Sequence, residues 1–280
     1  MFQPVIKWSG SKRSQSSELI KMFPQNINTY YEPFCGGCSM FRCLLESGIN
    51  VDKYVCSDVN KDLINLWNEI KNNPSRVILS YDKHWEKLNS TDDRSLKRKY
   101  FEEVRSVFNK THDPCDFMFI MRTTTNGMPR YNKNGEFNNS FHITRDGIRP
   151  DKLSKIIDEW SDLLNKYDVT FMNTDYSIIF NNAKRGDFLY LDPPYANTKG
   201  MYYGGINQIF FFNNLQYLND KDIKWLLSYD GISGEVDNTY NVPIHLYKEH
   251  QYIRSGNSSF KRTIGKSNDS IVYESVYKNY

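Results

Sequence analysis

The sequence predicts a doubly wound α/β domain that is interrupted by an inserted, mostly helical module. Both ends of the chain alternate short apolar strands with amphipathic helices, as expected for a sheet covered by helices. Between about residues 62 and 109 the apolar residues instead recur at helical spacing. At 280 residues the chain is long enough to bury the core of one large domain together with such an insert.

The first sixty residues are predicted to form a βαβ pattern, and regular structure returns after a long middle region. The early elements are a helix over residues 14–23, a strand over 28–31, a helix over 40–47 and a strand over 53–57. In the middle region Asn73-Pro74 breaks the helical pattern, and the glycines, prolines and asparagines of residues 120–150 predict loops and turns. The later elements are a helix over 151–167 and strands over 169–172 and 187–191.

The composition predicts a soluble protein of the cytoplasm. The mean hydropathy is -0.67 and no apolar run approaches about 20 residues, so we expect neither a membrane span nor, from the N-terminal residues, a secretory leader. Four of the five cysteines fall between Cys35 and Cys56, which does not match a secreted disulfide framework. Reduced thiols are therefore expected.

A glycine turn follows the first predicted strand and precedes a predicted helix. It consists of Glu32-Pro33-Phe34-Cys35-Gly36-Gly37-Cys38, where the glycines let a nucleotide-like ligand approach the backbone. Asp58, about 20 residues beyond Gly36 at the end of the next strand, is suited to accept hydrogen bonds from two ribose hydroxyls. Because the G-x-G-x-x-G pattern of dehydrogenases is missing, S-adenosylmethionine is favoured over a dinucleotide. The alternative is a plain β-turn with a capping Asp58.

The spacing of Cys35 and Cys38 also allows a metal or redox pair. Zinc would need two further ligands, and His112 and Cys115 are remote in sequence. No metal site is therefore expected.

The most informative stretch is a predicted buried strand that leads into Asp192-Pro193-Pro194-Tyr195. The exocyclic amine of adenine is a poor nucleophile, because its lone pair is delocalised into the ring. If the Asp192 carboxylate and the Pro193 carbonyl each accept one N6–H, the lone pair returns to nitrogen and can attack a methyl group. The prolines fix φ and offer no competing N–H, and Tyr195 is suited to stack on an adenine swung out of the helix. A strand that ends in a simple proline turn is the alternative.

Two basic stretches indicate a nucleic-acid partner, although the net charge is only +3. The first contains Arg122, Arg130, Lys133, Arg145, Arg149, Lys152 and Lys155, and the second contains Lys248, Arg254, Lys261, Arg262 and Lys266. A solvated surface is the alternative for either stretch.

Taken in order, these motifs resemble those of the Dam-type (D12 class) adenine-N6 DNA methyltransferases over nearly the whole chain. The matching segments are Lys7-Trp8-Ser9-Gly10-Ser11-Lys12, the glycine turn, Cys56-Ser57-Asp58-Val59-Asn60, Asn126 to Asn132 with Gly135 to Asn138, and Asp192 to Tyr195. The resemblance implies a Rossmann-like methyltransferase sheet with an inserted, mostly helical target-recognition domain. Residues 1–60 and 165–280 would bind S-adenosylmethionine and catalyse, and residues 61–164 would recognise DNA.

The resemblance also implies roles for individual residues. Catalysis is expected of Asp192, Pro193, Pro194 and Tyr195, and cofactor contacts of Trp8, Lys12, Glu32, Pro33, Phe34, Gly36, Asp58, Asp175 and Asp192. Contacts to double-stranded DNA are expected of Lys7, Arg122, Asn126, Met128, Arg130, Asn132, Ser258, Lys261 and Arg262. The planar guanidinium of Arg130 suits bidentate pairing with guanine O6 and N7.

Two departures from the family pattern keep other readings open. Cys38 replaces a second glycine of the cofactor turn, and Thr123-Thr124-Thr125 replaces an aromatic that some members insert into the duplex. A DNA-binding decoy or regulator that has lost catalysis is one alternative, and methylation of RNA or of a protein glutamine is another. The recognition site, a cognate restriction endonuclease, a bacterial or phage host and the oligomeric state are left open.

Overall fold

The computed structural model describes residues 2–125, 127, 129–194, 206–257 and 271–280, and these form two compact units. The first unit contains the residues before Ser11 together with Asp58–Asn173. The second contains Ser11–Ser57 and the described residues from Thr174 onward. The functional assignment of either unit stays a prediction.

The regular elements are as follows along the chain. The strands are β1 Asn26–Glu32, β2 Asn50–Asp58, β3 Val169–Asn173, β4 Phe188–Leu191, β5 Lys224–Ser233, β6 Val236–Asp237, β7 Glu249–Asn257 and β8 Ile271–Lys278. The helices are α1 Ser16–Leu19, α2 Ser39–Ser47, α3 Lys61–Asn72, α4 Pro74–Asn89, α5 Arg94–Thr111, α6 Pro114–Thr123, α7 Pro150–Lys166, α8 Tyr176–Asn182 and α9 Gln208–Asp220. None of the helices within the described ranges is long and apolar enough to cross a membrane.

The second unit is built on a mixed sheet, which confirms the predicted α/β class. Its strands lie in the order β2-β1-β4-β5-β8-β7, and β6 pairs with β5. Strands β2, β1, β4 and β5 are parallel, whereas β8 is antiparallel to both β5 and β7. Chain order reverses direction between β1 and β4, and in open α/β sheets ligands bind beside the carboxyl ends of strands at such a point.

Aromatic side chains form much of the core of this unit. Phe41 of α2 stacks on Tyr30 of β1 at 6.3 Å between ring centroids and contacts Tyr54 of β2 at 5.8 Å. Phe188 of β4 is fully buried and packs edge-on against Phe23 at 4.6 Å. The β1-α2-β2 pattern predicted from sequence is thus held by ring contacts between its three elements.

The first unit is mostly helical: α3 to α7 pack against one another, and β3 packs against α3. Trp67 of α3 stacks on Phe171 of β3 at 5.6 Å and contacts Trp160 of α7 at 4.9 Å. Helix α3 begins where the Asn60 side chain accepts the N–H of Leu63, and α4 begins at Pro74, a residue favoured at the first helical position. The break predicted at Asn73-Pro74 is therefore the boundary between two helices.

Two boundaries differ from the predictions. The helix predicted over residues 14–23 is three short pieces, namely two 3₁₀ turns that flank α1. The loops predicted over residues 120–150 start later than expected, because α6 continues through Thr123 with Ile120 and Met121 fully buried. Past α6 the chain forms an irregular hairpin with bridges between Thr124 and Phe141 and between Tyr131 and Phe137. We call residues 124–141 the hairpin.

Candidate active site

Asp192 is placed by a strand that is buried along its whole length. Every residue of β4 is buried, and β4 lies between its parallel neighbours β1 and β5. The strand ends at Leu191, so Asp192 and the buried Pro193 follow at the carboxyl edge of the sheet. The Asp192 side chain keeps 19% of its surface exposed and is therefore reachable from solvent.

Lys12 lies next to Asp192 and is buried. Its Nζ is 2.8 Å from Asp192 Oδ1 and 3.4 Å from Oε2 of Glu274 on β8, and only 3% of its side chain is exposed. Glu274 in turn accepts the hydroxyl of Ser255 at 3.4 Å. One ammonium thus bridges two carboxylates, so Asp192 Oδ1 is engaged by Lys12.

Glu32, the last residue of β1, points into the core. Its Oε2 accepts the Tyr30 hydroxyl at 2.6 Å, and the backbone N–H of Phe41 also donates to it. Burial raises the pKa of Glu32 to about 8, although the hydrogen bond from Tyr30 opposes this effect. At neutral pH Glu32 therefore holds a proton, and a direct contact of this side chain with a cofactor stays a prediction.

The pKa values at the end of β4 reflect the same burial. Burial raises the pKa of Asp192 to about 6, Lys12 lowers it, and Glu274 raises it further. Burial also raises the pKa of Tyr190, whose hydroxyl is hydrogen-bonded to Ser228 at 2.9 Å. Above about pH 6 the Asp192 carboxylate is charged and able to accept hydrogen bonds.

The glycine turn adopts the tight geometry that its sequence predicts. Gly36 and Cys38 both have positive φ, 45° and 54°, which costs nothing at glycine and is unusual at cysteine. The Cys38 N–H donates to Cys35 O at 2.7 Å, and the Cys35 N–H donates to Ser57 O at 3.0 Å. Cys38 is the residue before α2, and its carbonyl accepts the N–H of Arg42 at 3.0 Å. Within the described ranges, no cluster of three His, Cys, Asp or Glu is arranged to hold a metal ion.

An aromatic cluster lies beside the glycine turn. Phe34 is half-buried and contacts Tyr176 of α8 at 5.3 Å and Phe211 of α9 at 6.4 Å. Asp175 caps α8, since its Oδ1 accepts the Ser177 N–H at 2.9 Å and the Ser177 hydroxyl at 2.6 Å. A flat, partly apolar surface of this kind suits a purine ring.

Asp58 and Trp8, two further predicted cofactor contacts, belong to the first unit. Asp58 ends β2, and its Oδ1 accepts the N–H of Asn60 at 2.9 Å. Trp8 is half-buried. Their cofactor contacts stay predictions.

The hairpin presents Arg130 on a fixed backbone. The Arg130 N–H donates to Asn139 Oδ1 at 2.6 Å, its carbonyl accepts the Asn138 N–H at 2.9 Å, and its side chain is exposed. Asn132 instead closes the turn, because its Oδ1 accepts the N–H groups of Asn134 and Glu136. Its amide is thus occupied within the turn.

Lys7 and Arg122 lie on the same unit as the hairpin. Burial, together with the charges of Arg145 and Arg122, lowers the pKa of Lys7 to about 8. Arg122 is 5% exposed and donates a hydrogen bond to the carbonyl of Pro4. This buried side chain therefore binds the N-terminal segment. Gly127 has φ +62°, and a Cβ there would come within 2.8 Å of Lys7 O. The Lys7 backbone therefore lies directly against Gly127 of the hairpin.

Several predicted site residues lie outside the described residues. These are Tyr195, Asn126, Met128, Ser258, Lys261 and Arg262.

Sequence reasoning missed Glu274. Glu274 interrupts the apolar alternation of β8, and a charged residue at an inward strand position was the available signal. Tyr176 follows the predicted Asp175 directly, but only the fold shows that its ring faces Phe34.

Comparisons with known proteins agree with these observations. The family described as D12 class N6 adenine-specific DNA methyltransferase matches residues 8–261. A Type II methyltransferase of Methanocaldococcus jannaschii, M.MjaIII, is 32% identical over 69% of this chain and 69% of its own length. M.CviBI of Paramecium bursaria Chlorella virus NC1A is 28% identical over 99% of this chain and its full length. M1.LlaDCHI of Lactococcus lactis subsp. cremoris is 28% identical over 69% of this chain, and the match spans 66% of its own length.

Proposed function

Since this chain belongs to the D12 class of N6 adenine-specific DNA methyltransferases, we propose that it transfers a methyl group from S-adenosylmethionine to the N6 amine of an adenine flipped out of double-stranded DNA. The observation that supports this most is Asp192, a partly exposed acid at the carboxyl end of a buried strand with one oxygen engaged by Lys12. No described feature favours a DNA-binding decoy. The activity would take place in the cytoplasm of a bacterial cell or of a phage-infected host.

The residues around Asp192 fit a positively charged cofactor. Two carboxylates, Asp192 and Glu274, share one ammonium, and the glycine turn and Phe34 lie in the same unit. When bound, S-adenosylmethionine supplies a methyl group that is carried on a positively charged sulfur. Once the methyl group is transferred, the rest of the cofactor is a neutral thioether. Phe34 and Asp175 would hold its adenosine end, and Asp58 would accept its ribose hydroxyls.

Asp192 and Pro193 act on the acceptor amine. The Asp192 carboxylate and the Pro193 carbonyl accept the two N6–H groups, which draws the nitrogen lone pair out of the ring and orients it for attack. Lys12 fixes Asp192 Oδ1 at 2.8 Å, so the carboxylate keeps one orientation. The proton released by the methylated nitrogen passes to solvent, which reaches Asp192.

Arg130 is proposed to read the DNA sequence. Its backbone is fixed by Asn139 and Asn138 while its guanidinium is exposed, and a good bidentate pair with guanine is worth about 1–3 kcal/mol. Lys7 is proposed to contact DNA beside it.

The test of the proposed function is methyl transfer by Asp192→Ala. Labelled methyl groups from S-adenosylmethionine are counted on unmethylated genomic DNA, and the position of the methyl group is read by sequencing. We expect wild-type protein to methylate N6 of adenine and Asp192→Ala to lose about 10²–10³-fold in turnover. Asp220→Ala, an exposed acid on α9, should match wild type. Turnover of Asp192→Ala within twofold of wild type would refute the role of this carboxylate.

A further inference from the structure

Three acids and one lysine lie together at the end of β4. Asp192 and Glu274 both contact the Lys12 ammonium, at 2.8 Å and 3.4 Å, and the buried Glu32 acts electrostatically on Asp192. Within the described ranges these are the ionised or ionisable groups that act on Asp192, together with the neutral Tyr190 on the same strand. They come from β1, β4, β8 and the turn that precedes α1.

Lys12 and Asp192 alone would form a neutral pair. Glu274 adds a second carboxylate whose side chain is only 12% exposed, which is costly unless a positive charge compensates it. Lys12 compensates one carboxylate and not two. Among the described residues, the Lys12, Asp192 and Glu274 side chains together therefore have a net charge of -1.

Glu274 is held in place on both sides. Its Oε1 accepts the Ser255 hydroxyl at 3.4 Å, and its Oε2 faces Lys12. Its strand β8 is paired on one edge with β5 and on the other with β7. The second negative charge thus lies on an internal strand of the sheet, where Lys12 contacts one carboxylate oxygen and Ser255 donates to the other.

We infer that Glu274 is a specificity-determining residue: the net negative charge that it gives the Lys12, Asp192 and Glu274 cluster makes the site prefer the cationic sulfonium cofactor over the neutral thioether that remains after methyl transfer. This inference rests on the proposed function, since it requires S-adenosylmethionine beside Asp192. S-adenosylmethionine and S-adenosylhomocysteine differ only in the methyl group and its positive charge. A nearby net charge therefore changes the affinity for one ligand and leaves the other nearly unaffected.

The inference gives Glu274 a part in the competition between fresh and spent cofactor. A site without net charge would hold both forms about equally, and the spent cofactor would then compete with fresh cofactor. Because Glu274 does not need to touch either ligand, its effect should appear in the ratio of the two affinities.

The test is calorimetric titration of the full chain with each of the two ligands separately. For Glu274→Gln, which keeps the shape and removes the charge, we expect the ratio of the S-adenosylhomocysteine Kd to the S-adenosylmethionine Kd to fall about tenfold, equivalent to about 1.4 kcal/mol. The Kd of S-adenosylhomocysteine should stay within about twofold, which also shows that the variant is folded. Glu249→Gln, the same change on the neighbouring strand β7, should leave the ratio unchanged.

An unchanged ratio in a folded Glu274→Gln protein would overturn the inference. If that variant does not fold, Glu274→Met, which keeps a similar side-chain length without the charge, is titrated in the same way, and an unchanged ratio there would overturn the inference as well. Failure of wild-type protein to bind S-adenosylmethionine would instead count against the proposed function. The two failures are therefore distinguishable.

Discussion

At the scale of single residues, two acids that end neighbouring parallel strands have different states. Burial raises the pKa of Asp192 to about 6 and that of Glu32 to about 8. Lys12 opposes the shift at Asp192, whereas Glu32 has only hydrogen bonds from Tyr30 and the backbone to oppose it. Near pH 7 Asp192 is therefore charged and Glu32 is neutral. The charge suits Asp192 to accept hydrogen bonds, and its absence suits Glu32 to a place in the core.

The buried Glu32 should make the stability of the protein depend on pH. Between about pH 4.5 and 8 the unfolded chain has released the proton of Glu32 and the folded chain retains it, so stability falls as pH rises through this window. We expect the free energy of unfolding of wild type, relative to Glu32→Gln, to decrease by at most about 1.4 kcal/mol per pH unit there. Urea unfolding at several pH values measures this difference.

Glu18→Gln provides the control for this measurement. The Glu18 side chain is 57% exposed and pairs with Lys21, so its removal should leave the pH dependence unchanged. A constant difference between wild type and Glu32→Gln from pH 5 to pH 8 would contradict the raised pKa.

At the scale of elements, the hairpin is held by polar side chains of two helices. The Tyr131 hydroxyl donates to Oδ2 of Asp62 on α3 at 2.6 Å. Asn109 of α5 makes two bonds to the main chain of Phe137, donating to its carbonyl at 3.1 Å and accepting its N–H at 2.8 Å. Side chains of neighbouring helices thus add to the hairpin's own main-chain bonds, such as the one from the Asn138 N–H to Arg130 O at 2.9 Å.

Removing the Asn109 amide should loosen the hairpin. Asn109→Ala leaves the N–H and carbonyl of the buried Phe137 without their partners, and we expect a loss of about 1–3 kcal/mol in stability. Thermal unfolding measures this loss. The ratio of the affinities for two DNAs that differ by one base pair measures any change in the sequence discrimination proposed for Arg130. Asn138→Ala, at an exposed hairpin position, should change stability by less than about 0.5 kcal/mol. Equal stability of the two variants would show that the hairpin does not depend on α5.

At the scale of the whole molecule, the first unit joins its N-terminal residues to elements that are distant from them in sequence. Phe2 contacts Trp160 of α7 at 6.2 Å, Arg122 of α6 donates to the Pro4 carbonyl, and the Ser9 N–H donates to Gly127 O at 3.1 Å. Nε of Arg122 has no hydrogen-bond partner among the described atoms, so loss of Pro4 would leave a buried cation still less satisfied.

Deletion of residues 2–6 should therefore destabilise the first unit selectively. We expect faster amide hydrogen exchange in α6 and α7 and unchanged exchange in β4, because β4 belongs to the other unit. Gln3→Ala, an exposed residue of the same segment, is the control and should behave as wild type. Uniformly faster exchange throughout the chain would contradict a local role for this segment.

Much of the fold was predictable from local patterns. The β1-α2-β2 succession, the helices of the middle region and the strand before Asp192 follow from periodicity and from prolines and glycines, which act on neighbouring residues. The irregular hairpin was not predictable in detail, because Asp62 and Asn109 hold it through contacts between residues that are far apart in sequence.

By itself the sequence determined the α/β class, the family and the motif of the acid at the end of β4, since each depends on residues that are adjacent or regularly spaced. Only the tertiary structure decided that Lys12 and Glu274, near opposite ends of the chain, meet at Asp192 and that Glu32 faces the core. Charge and protonation in this site depend on burial and on distances between strands. Those quantities exist only once the sheet has formed.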